Sequence, residues 1–381
     1  MRIAISGMGL RSFSVLSKLK AQMDEAEFVG YFDPTPAYLD DLDPDIPAFD
    51  SVEEMLETTK PDLFFVGSPN EFHLNDIKAG LAAGVRMFSE KPVVTTIEDT
   101  MELASLLSKH GSHQVMIGLV LRYSRHMVDL RKYLESLGEI TSMEASEHIG
   151  PYHGAFFMRD WRRKTSRSGG FMLEKCCHDL DLYNMITKSR PKRVASFGDR
   201  RSFLPKHRPE SNSEMEVYHV KPSVWDSTDD PFSSDGDIID CQVSILEYES
   251  GASLAFHTNL NVPDEHRHFC VIGARGMAEG DFTRGFLKVT DARSNTATFE
   301  ADYTSLGSGK GHYGADELMI SDIVAHLRGE AGALPVSVVD ALEAGVAALA
   351  LDQARTERTI VDLSETWAEF DSYNLRGGGS K

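Results

Sequence analysis

Cysteine is scarce in this chain, four in 381 residues, and Cys176, Cys177, Cys241 and Cys270 lack the spacing of a disulfide framework. A small disulfide-stapled fold is excluded, and a reducing compartment fits. Positive charge is in deficit: 39 Lys and Arg face 59 Asp and Glu, for a net charge of −20. Nucleic acids and anionic membranes are bound by Lys and Arg that displace counterions, so neither is an expected partner. No stretch approaches the roughly 18 consecutive apolar residues of a membrane span. The opening "MRIAISGMGLRS" enters an alternating strand with no basic region, apolar stretch and cleavage site before it. The expectation is a cytoplasmic protein whose partners are small molecules or other protein chains. No internal repeat is present, and residues 376–381, ending "GGGSK", read as a flexible tail.

What is present suffices for a packed core: 41% of residues are apolar, and a chain of this length holds two domains of about 150 residues or more. From residue 1 to about 122 short apolar runs alternate with helical spacing. "RIAIS", "FVGYF", "DLFFVG", "VRMFS" and "QVMIG" read as buried strands between helices such as "FSVLSKLKAQM" and "EDTMELASLLSKH". This predicts a doubly wound parallel sheet, a Rossmann domain over 1–122. After a connecting helix in "RYSRHMVDLRKYLESLG" the pattern becomes strand-rich, with "ITSMEASEH", "IIDCQVSILEYE", "ASLAFHTNL", "RHFCVIG" and "FLKVTDA". Residues 123–375 are expected to form an α+β domain on a large, open, mostly antiparallel sheet, with 203–237 an insertion or loop that serves as lid, arm or decoration. A sheet with one face left over commonly finds a partner, so a homodimer or homotetramer through that face is expected. Within the insertion, Trp225 is a candidate contact to a neighbouring subunit.

Gly7, Met8, Gly9, Leu10, Arg11 and Ser12 follow the first strand and open a helix, the setting of a dinucleotide fingerprint. Gly7 supplies the tight turn, and Gly9 lets backbone and helix N-terminus approach a pyrophosphate. Ser12 replaces the third glycine. Asp33 ends the next strand, about 20 residues on, where a carboxylate binds the adenosine ribose. Its charge favours NAD over NADP, and Arg11 is the residue able to soften that preference.

Lys91, in "SEKPVV", follows a strand of the parallel sheet and so lies at its carboxyl end, where ligands of such sheets bind. Glu174 and His178 are four apart on a predicted helix, on one face, with Asp181 three further. An imidazole has its pKa near working pH and a carboxylate can fix its tautomer, so the pair suits general acid–base chemistry; it equally suits ordinary helix stabilisation. Cys176, Cys177 and His178 are adjacent and point in different directions on a helix, so no metal site is expected, and the cysteines read as buried apolar residues.

Together these segments resemble the glucose-fructose oxidoreductase, inositol dehydrogenase and MocA (Gfo/Idh/MocA) family of nicotinamide-dependent oxidoreductases. The carriers are "GMGLRS", "VGSPNEFH", "SEKPVV", "LRYS", "SGGFMLEKCCHDLD" and "GHYGADELM", in order along nearly the whole chain. The resemblance implies that Lys91, Glu174 and His178 are the active-site residues, with His178 the acid/base, Lys91 at the reacting oxygen and Glu174 holding Lys91 or His178. It implies a cofactor side that includes Ser68, Asn70, His73 and Glu90 besides Gly7, Gly9, Leu10, Arg11, Asp33 and Lys91. Tyr123, Trp161, Arg162 and His312 are implied to line the substrate pocket, with Lys91 and His178. The implied cofactor is NAD, with NADP admitted, and the implied substrate a sugar, sugar derivative or cyclitol. Glu174 stands where the family more often has aspartate. Lys175 then either pairs with that carboxylate or reaches the substrate. Two further readings stand beside the dehydrogenase: a redox-neutral, NAD-dependent glycosidase, and a non-catalytic sensor that keeps the nucleotide domain.

Overall fold

The computed structural model describes residues 1–219, 224–306 and 311–376. Residues 220–223 of the expected insertion and 377–381 of the expected tail lie outside them. The chain packs as two compact units. The first comprises Met1–Val120, Asp316–Val346 and residues 366–376; the second comprises Leu121–Ala315 and Ala347–Glu365. The first unit thus takes in segments from well beyond the boundary expected near residue 122. Helix Ala315–Leu327 and the residue after it run alongside helix Leu10–Gln22, through the contacts Arg11–Asp316, Lys18–Glu317, Gln22–Ser321 and Glu25–Arg328. Periodicity identified this helix but carried no information on which core it joins.

In the first unit β1 (Arg2–Ser6), β2 (Glu27–Phe32), β3 (Leu63–Val66), β4 (Arg86–Ser89) and β5 (Val115–Ile117) form a parallel sheet ordered β2-β1-β3-β4-β5. Its middle strands read as unbroken apolar runs because both faces are covered, and Ile3, Ile5 and all of β3 are fully buried. Ser51 and Thr96 cap helices Val52–Thr59 and Ile97–His110 by accepting from the Glu54 and Asp99 amides. The strand order reverses at β1, which places a ligand crevice at the carboxyl ends of β1 and β3.

The second unit holds β6 (Ile140–His148), β7 (Pro191–Asp199), β8 (Cys241–Tyr248), β9 (Ser253–Asn259), β10 (His268–Gly273), β11 (Gly276–Asp281), β12 (Phe286–Asp291), β13 (Thr296–Asp302) and β14 (Val361–Asp362). Among the described residues they form one sheet, ordered β13-β12-β11-β10-β6-β9-β8-β7-β14. Every pairing is antiparallel except β6 with β9. Alternation sorts the faces: Leu254, Phe256 and Thr258 of β9 are buried while Ser253, Ala255 and His257 are exposed. β7 opens with proline and two bases and β11 contains two glycines; pairing on both sides makes these segments strands, against their own weak propensity.

One expectation changes. The connecting helix over 122–138 is instead a 3-10 turn and two short helices, Arg125–Leu130 and Leu134–Leu137, because Ser124 starts a new helix by capping the Met127 amide. The described parts of the 203–237 insertion are tied to their own chain. Asp240, fully buried, accepts from the amides of Arg201, Ser202 and Phe203. Arg200 donates to the carbonyls of Phe203, Pro231, Ser234 and Gly236. Trp225 lies against Trp161 with ring centroids 6.1 Å apart and under the Arg167 guanidinium at 4.4 Å.

His126 lies between Phe282 and Tyr303, with ring centroids 4.8 and 4.5 Å away. Burial pushes its imidazole from 6.5 down to about 4, against the opposing pull of the Asp281 carbonyl and Asp129. The unfolded chain binds that proton more tightly than the folded one. Stability is therefore expected to be undiminished above about pH 6.5 and to fall as pH drops toward 4, by up to about 1.4 kcal/mol per unit from this residue. Urea unfolding at pH 7 and pH 5 checks this, and His126→Gln is expected to show a smaller acid loss than the parent.

Candidate active site

In the first unit the glycine turn is shaped by contact. Gly7 has φ +84°, and a Cβ there would lie 2.4 Å from the Gly67 carbonyl oxygen and the Ser68 nitrogen. Only glycine tolerates both. A Cβ on Gly9 would meet nothing within 4 Å, so the turn is open on that side. Helix Leu10–Gln22 starts at Gly9 with no side-chain cap, and Leu10 at the rim is 61% exposed. Uncapped first-turn amides beside open space fit a dinucleotide's pyrophosphate. Ser12 fits where the third glycine was expected because the strand opposite supplies one: a Cβ on Gly67 would come 2.3 Å from the Ser12 hydroxyl. Asp33 accepts from the Met8 amide at 2.6 Å and the Thr35 amide at 2.7 Å, bracing the turn while keeping a negative charge at the crevice.

The remaining cofactor-side residues are more buried than a ligand surface requires. His73 is 1% exposed, with Nδ1 2.7 Å from the Pro92 carbonyl and Nε2 2.7 Å from the Ser68 carbonyl. It struts two loops together through these two contacts. Asp76 accepts from the hydroxyls of both Ser6 and Ser68. Asn70 is buried in the turn between them and His73. Arg11 does not stand free beside the turn. Its Nε lies 2.8 Å from Glu90 Oε1 and its Nη1 2.8 Å from Asp316 Oδ1. Glu90 Oε2 in turn accepts from the Lys91 amide at 3.3 Å. Burial works against the guanidinium charge, and Glu90 and Asp316 outweigh it, so the pKa of Arg11 is raised.

In the second unit helix Phe171–Thr187 carries Glu174 and His178, both buried as the shared face requires. Glu174 Oε1 accepts from Arg162 Nε at 2.7 Å, and Arg162 Nη1 bonds Asp160 Oδ1 at 2.7 Å. Arg162 thus helps orient Glu174. Burial raises the Asp160 carboxyl pKa, with Arg162 opposing. The Arg162 guanidinium stacks on Trp161 at 4.2 Å and on Phe156 at 5.3 Å, so the expected pocket residues Trp161 and Arg162 meet Glu174 as one cluster. His312 comes to His178, with ring centroids 5.6 Å apart. It stands in a run of four left-handed residues, Gly311 to Gly314, two of them non-glycine, the kind of backbone strain that collects at functional sites. Tyr123 is buried at the end of its turn. The Lys175 ammonium lies 3.2 Å from the Glu147 carboxylate. Cys176 is buried, and burial holds its thiol well above the ordinary value.

Sequence reasoning missed Asp160 and Asp316, the carboxylates that complete the Arg162 and Arg11 pairs. An acidic residue directly before "WRR" and another in the first turn of a helix were the only signals.

The family model "Oxidoreductase family, NAD-binding Rossmann fold" matches residues 1–119, and the "GFO/IDH/MocA C-terminal domain" model matches residues 128–279. YteT of Bacillus subtilis is 23% identical, over 84% of this chain and 88% of that one. The inositol 2-dehydrogenase of Salmonella typhimurium is 24% identical over 54% of this chain and 60% of its own length. Among solved structures, scyllo-inositol dehydrogenase from Lactobacillus casei, with bound NAD(H) and scyllo-inositol, has a TM-score of 0.72 at 19% identity, covering 96% of this chain and 99% of that one. An oxidoreductase domain protein from Kribbella flavida has a TM-score of 0.74 at 16% identity, covering 94% and 98%.

The turn geometry yields a stability test. Gly67→Ala is expected to cost about 1–3 kcal/mol by overpacking against Ser12 and Phe65. Combining it with Ser12→Gly should recover part of that loss, and thermal unfolding of the three variants measures both effects.

Proposed function

This chain belongs to the GFO/IDH/MocA family of NAD-binding oxidoreductases, and on that premise we propose that it is an NAD-dependent dehydrogenase that interconverts a hydroxyl and a keto carbon of a sugar, sugar derivative or cyclitol. The observation that carries the reading is the uncapped helix end beside the open Gly9, with the Asp33 carboxylate on the same turn. When bound there, the nicotinamide cofactor supplies the redox chemistry. The chain's residues do the rest. In oxidation His178 takes the hydroxyl proton and Lys91 stabilises the reacting oxygen by hydrogen bond and charge. Glu174, fixed by Arg162, keeps the polar end of the helix face negative beside His178. In reduction protonated His178 returns the proton. The Arg162 guanidinium and the His312 ring suit a polyhydroxylated ring, which takes hydrogen bonds at its edge.

NAD is favoured over NADP. A 2′-phosphate would meet Asp33, and Arg11, the expected compensating cation, is committed to two carboxylates. We propose also that a second copy of this chain covers the open face of the nine-stranded sheet. Phe197 and Ile245 on that face are 76% and 60% exposed, with Val243 directly across from His257. A face of this many strands measures roughly 40 by 20 Å, about the 800 Å² per partner of a standard interface.

Two measurements follow. With a panel of cyclitols, aldoses and glycosides, NAD⁺ is expected to be reduced faster than NADP⁺, and Lys91→Ala and His178→Ala are each expected to lower kcat/KM by about 100-fold or more. Retained activity in either variant removes that residue from the mechanism. In sedimentation, Val243→Asp with Ile245→Asp is expected to turn an oligomer into monomer with the Rossmann unit still binding NAD; an unchanged sedimentation coefficient places the interface elsewhere.

A further inference from the structure

Two strands border the crevice in the first unit, and one buried carboxylate reaches both. β1 ends at Ser6 and β3 at Val66, and Asp76 Oδ2 accepts from the Ser6 hydroxyl at 2.7 Å and from the Ser68 hydroxyl at 2.6 Å. Asp76 is 6% exposed and Ser6 1%, whereas Ser68, just past the end of β3, is half-buried. Helix His73–Ala82 carries Asp76 in its first turn together with His73, whose Nε2 lies 2.7 Å from the Ser68 carbonyl. One helix thus grips both the carbonyl and the hydroxyl of Ser68, while the Ser68 nitrogen lies against Gly7, 2.4 Å from where a Cβ would stand. Burial raises the Asp76 carboxyl pKa, with Glu53 adding to the rise and the two hydroxyls and His73 opposing it.

We propose that Asp76 is a positioning residue for the nicotinamide half of the cofactor, acting through Ser68. This rests on the reading of Ser68 as a cofactor-side residue. A hydroxyl has one proton and two lone pairs. The Ser68 proton is spent on the carboxylate, so what the hydroxyl offers the crevice is its lone pairs. An acceptor of this kind suits a ribose hydroxyl or a carboxamide N–H and repels a phosphate oxygen. Strand order says which half of the cofactor that is. Asp33 follows β2 on one side of β1, and β3 lies on the other. With the diphosphate at the turn after β1 and the adenosine ribose at Asp33, the nicotinamide half extends to the β3 side, where Ser68 stands. A hydrogen bond to a charged acceptor is about twice as strong as one between neutral groups, so the carboxylate keeps the hydroxyl turned this way as the cofactor enters.

The test is calorimetric titration of NAD⁺ and, separately, of ADP into the full chain at about pH 8, with Asp76 ionised, in the parent, Ser68→Ala, Asp76→Ala and the double variant. Each single variant is expected to raise Kd for NAD⁺ about 5- to 10-fold, the effect of one lost hydrogen bond, and to leave Kd for ADP within about 2-fold of the parent. Because one residue acts through the other, the double variant is expected to bind NAD⁺ within about 2-fold of the weaker single variant. A loss equal to the product of the two single losses overturns the proposal, as does an equal loss of ADP binding, the mark of a collapsed turn. The two layers fail differently. Parental NAD⁺ affinity in Ser68→Ala removes Ser68 from the cofactor side and the proposal with it. A loss in Ser68→Ala with parental affinity in Asp76→Ala keeps Ser68 there and refutes only its positioning by Asp76. Should Asp76→Ala not fold, Asp76→Asn carries the same cycle, with Kd for NAD⁺ raised about 3-fold because a neutral amide is the weaker acceptor; parental affinity in that variant overturns the proposal.

Discussion

Helix Phe171–Thr187 is buried along nearly its whole length and yet carries four charges that each require a partner. Glu174 meets Arg162 at 2.7 Å, Lys175 meets Glu147 at 3.2 Å, Asp179 meets Arg267 at 2.6 Å, and Asp181 meets Arg122 at 2.6 Å. Removing an ion from water costs several kcal/mol, so an unmatched charge at any of these positions would drive the helix to rotate or withdraw. The partners come from the start of the unit, from β6, from the segment before β10 and from the turn at Trp161–Arg163. That is why one helix fixes the arrangement of so much of the second unit. His178 inherits its position from this matching.

The first unit reaches order by a different route. Its sheet is apolar throughout, and its specificity lies in close backbone approach at Gly7 and Gly67, which brings the helix N-terminus to the crevice with its amides uncapped. At the rim Asp33 braces the turn and Arg11 collects Glu90 and Asp316, while Asp76 is buried against Ser6 and Ser68. Packing thus places the cofactor turn, while ion pairing places the side chains around it. A substitution that preserves charge but alters volume should therefore harm the turn first, and the reverse change should harm the ion-paired side chains.

Much of this was legible in the sequence because local signals agreed. The five strands of the first sheet are short apolar runs with no competing reading. The Glu174/His178 spacing required a shared helix face and obtained one. What failed to show in sequence was everything settled by distant partners. β7, β11 and β13 lack strong strand propensity and exist through their neighbours. The packing of helix Ala315–Leu327 onto the first unit depends on contacts across some three hundred residues. Arg11 looked like a phosphate ligand because nothing near it in sequence announced the two carboxylates that hold it. Lys175 looked free to reach substrate for the same reason, since Glu147 stands on a strand far upstream.

The account stands or falls on net transfer of hydride from a substrate carbon. The most direct measurement incubates the protein with NAD⁺ and an active polyol deuterated at its ring carbons, then examines the reduced nicotinamide by mass spectrometry. One deuterium carried as deuteride into the cofactor per keto product formed is the expected result. Release of a leaving group with no accumulated NADH would contradict it and make the reaction redox-neutral, while tight NAD binding with neither product would make the chain a sensor.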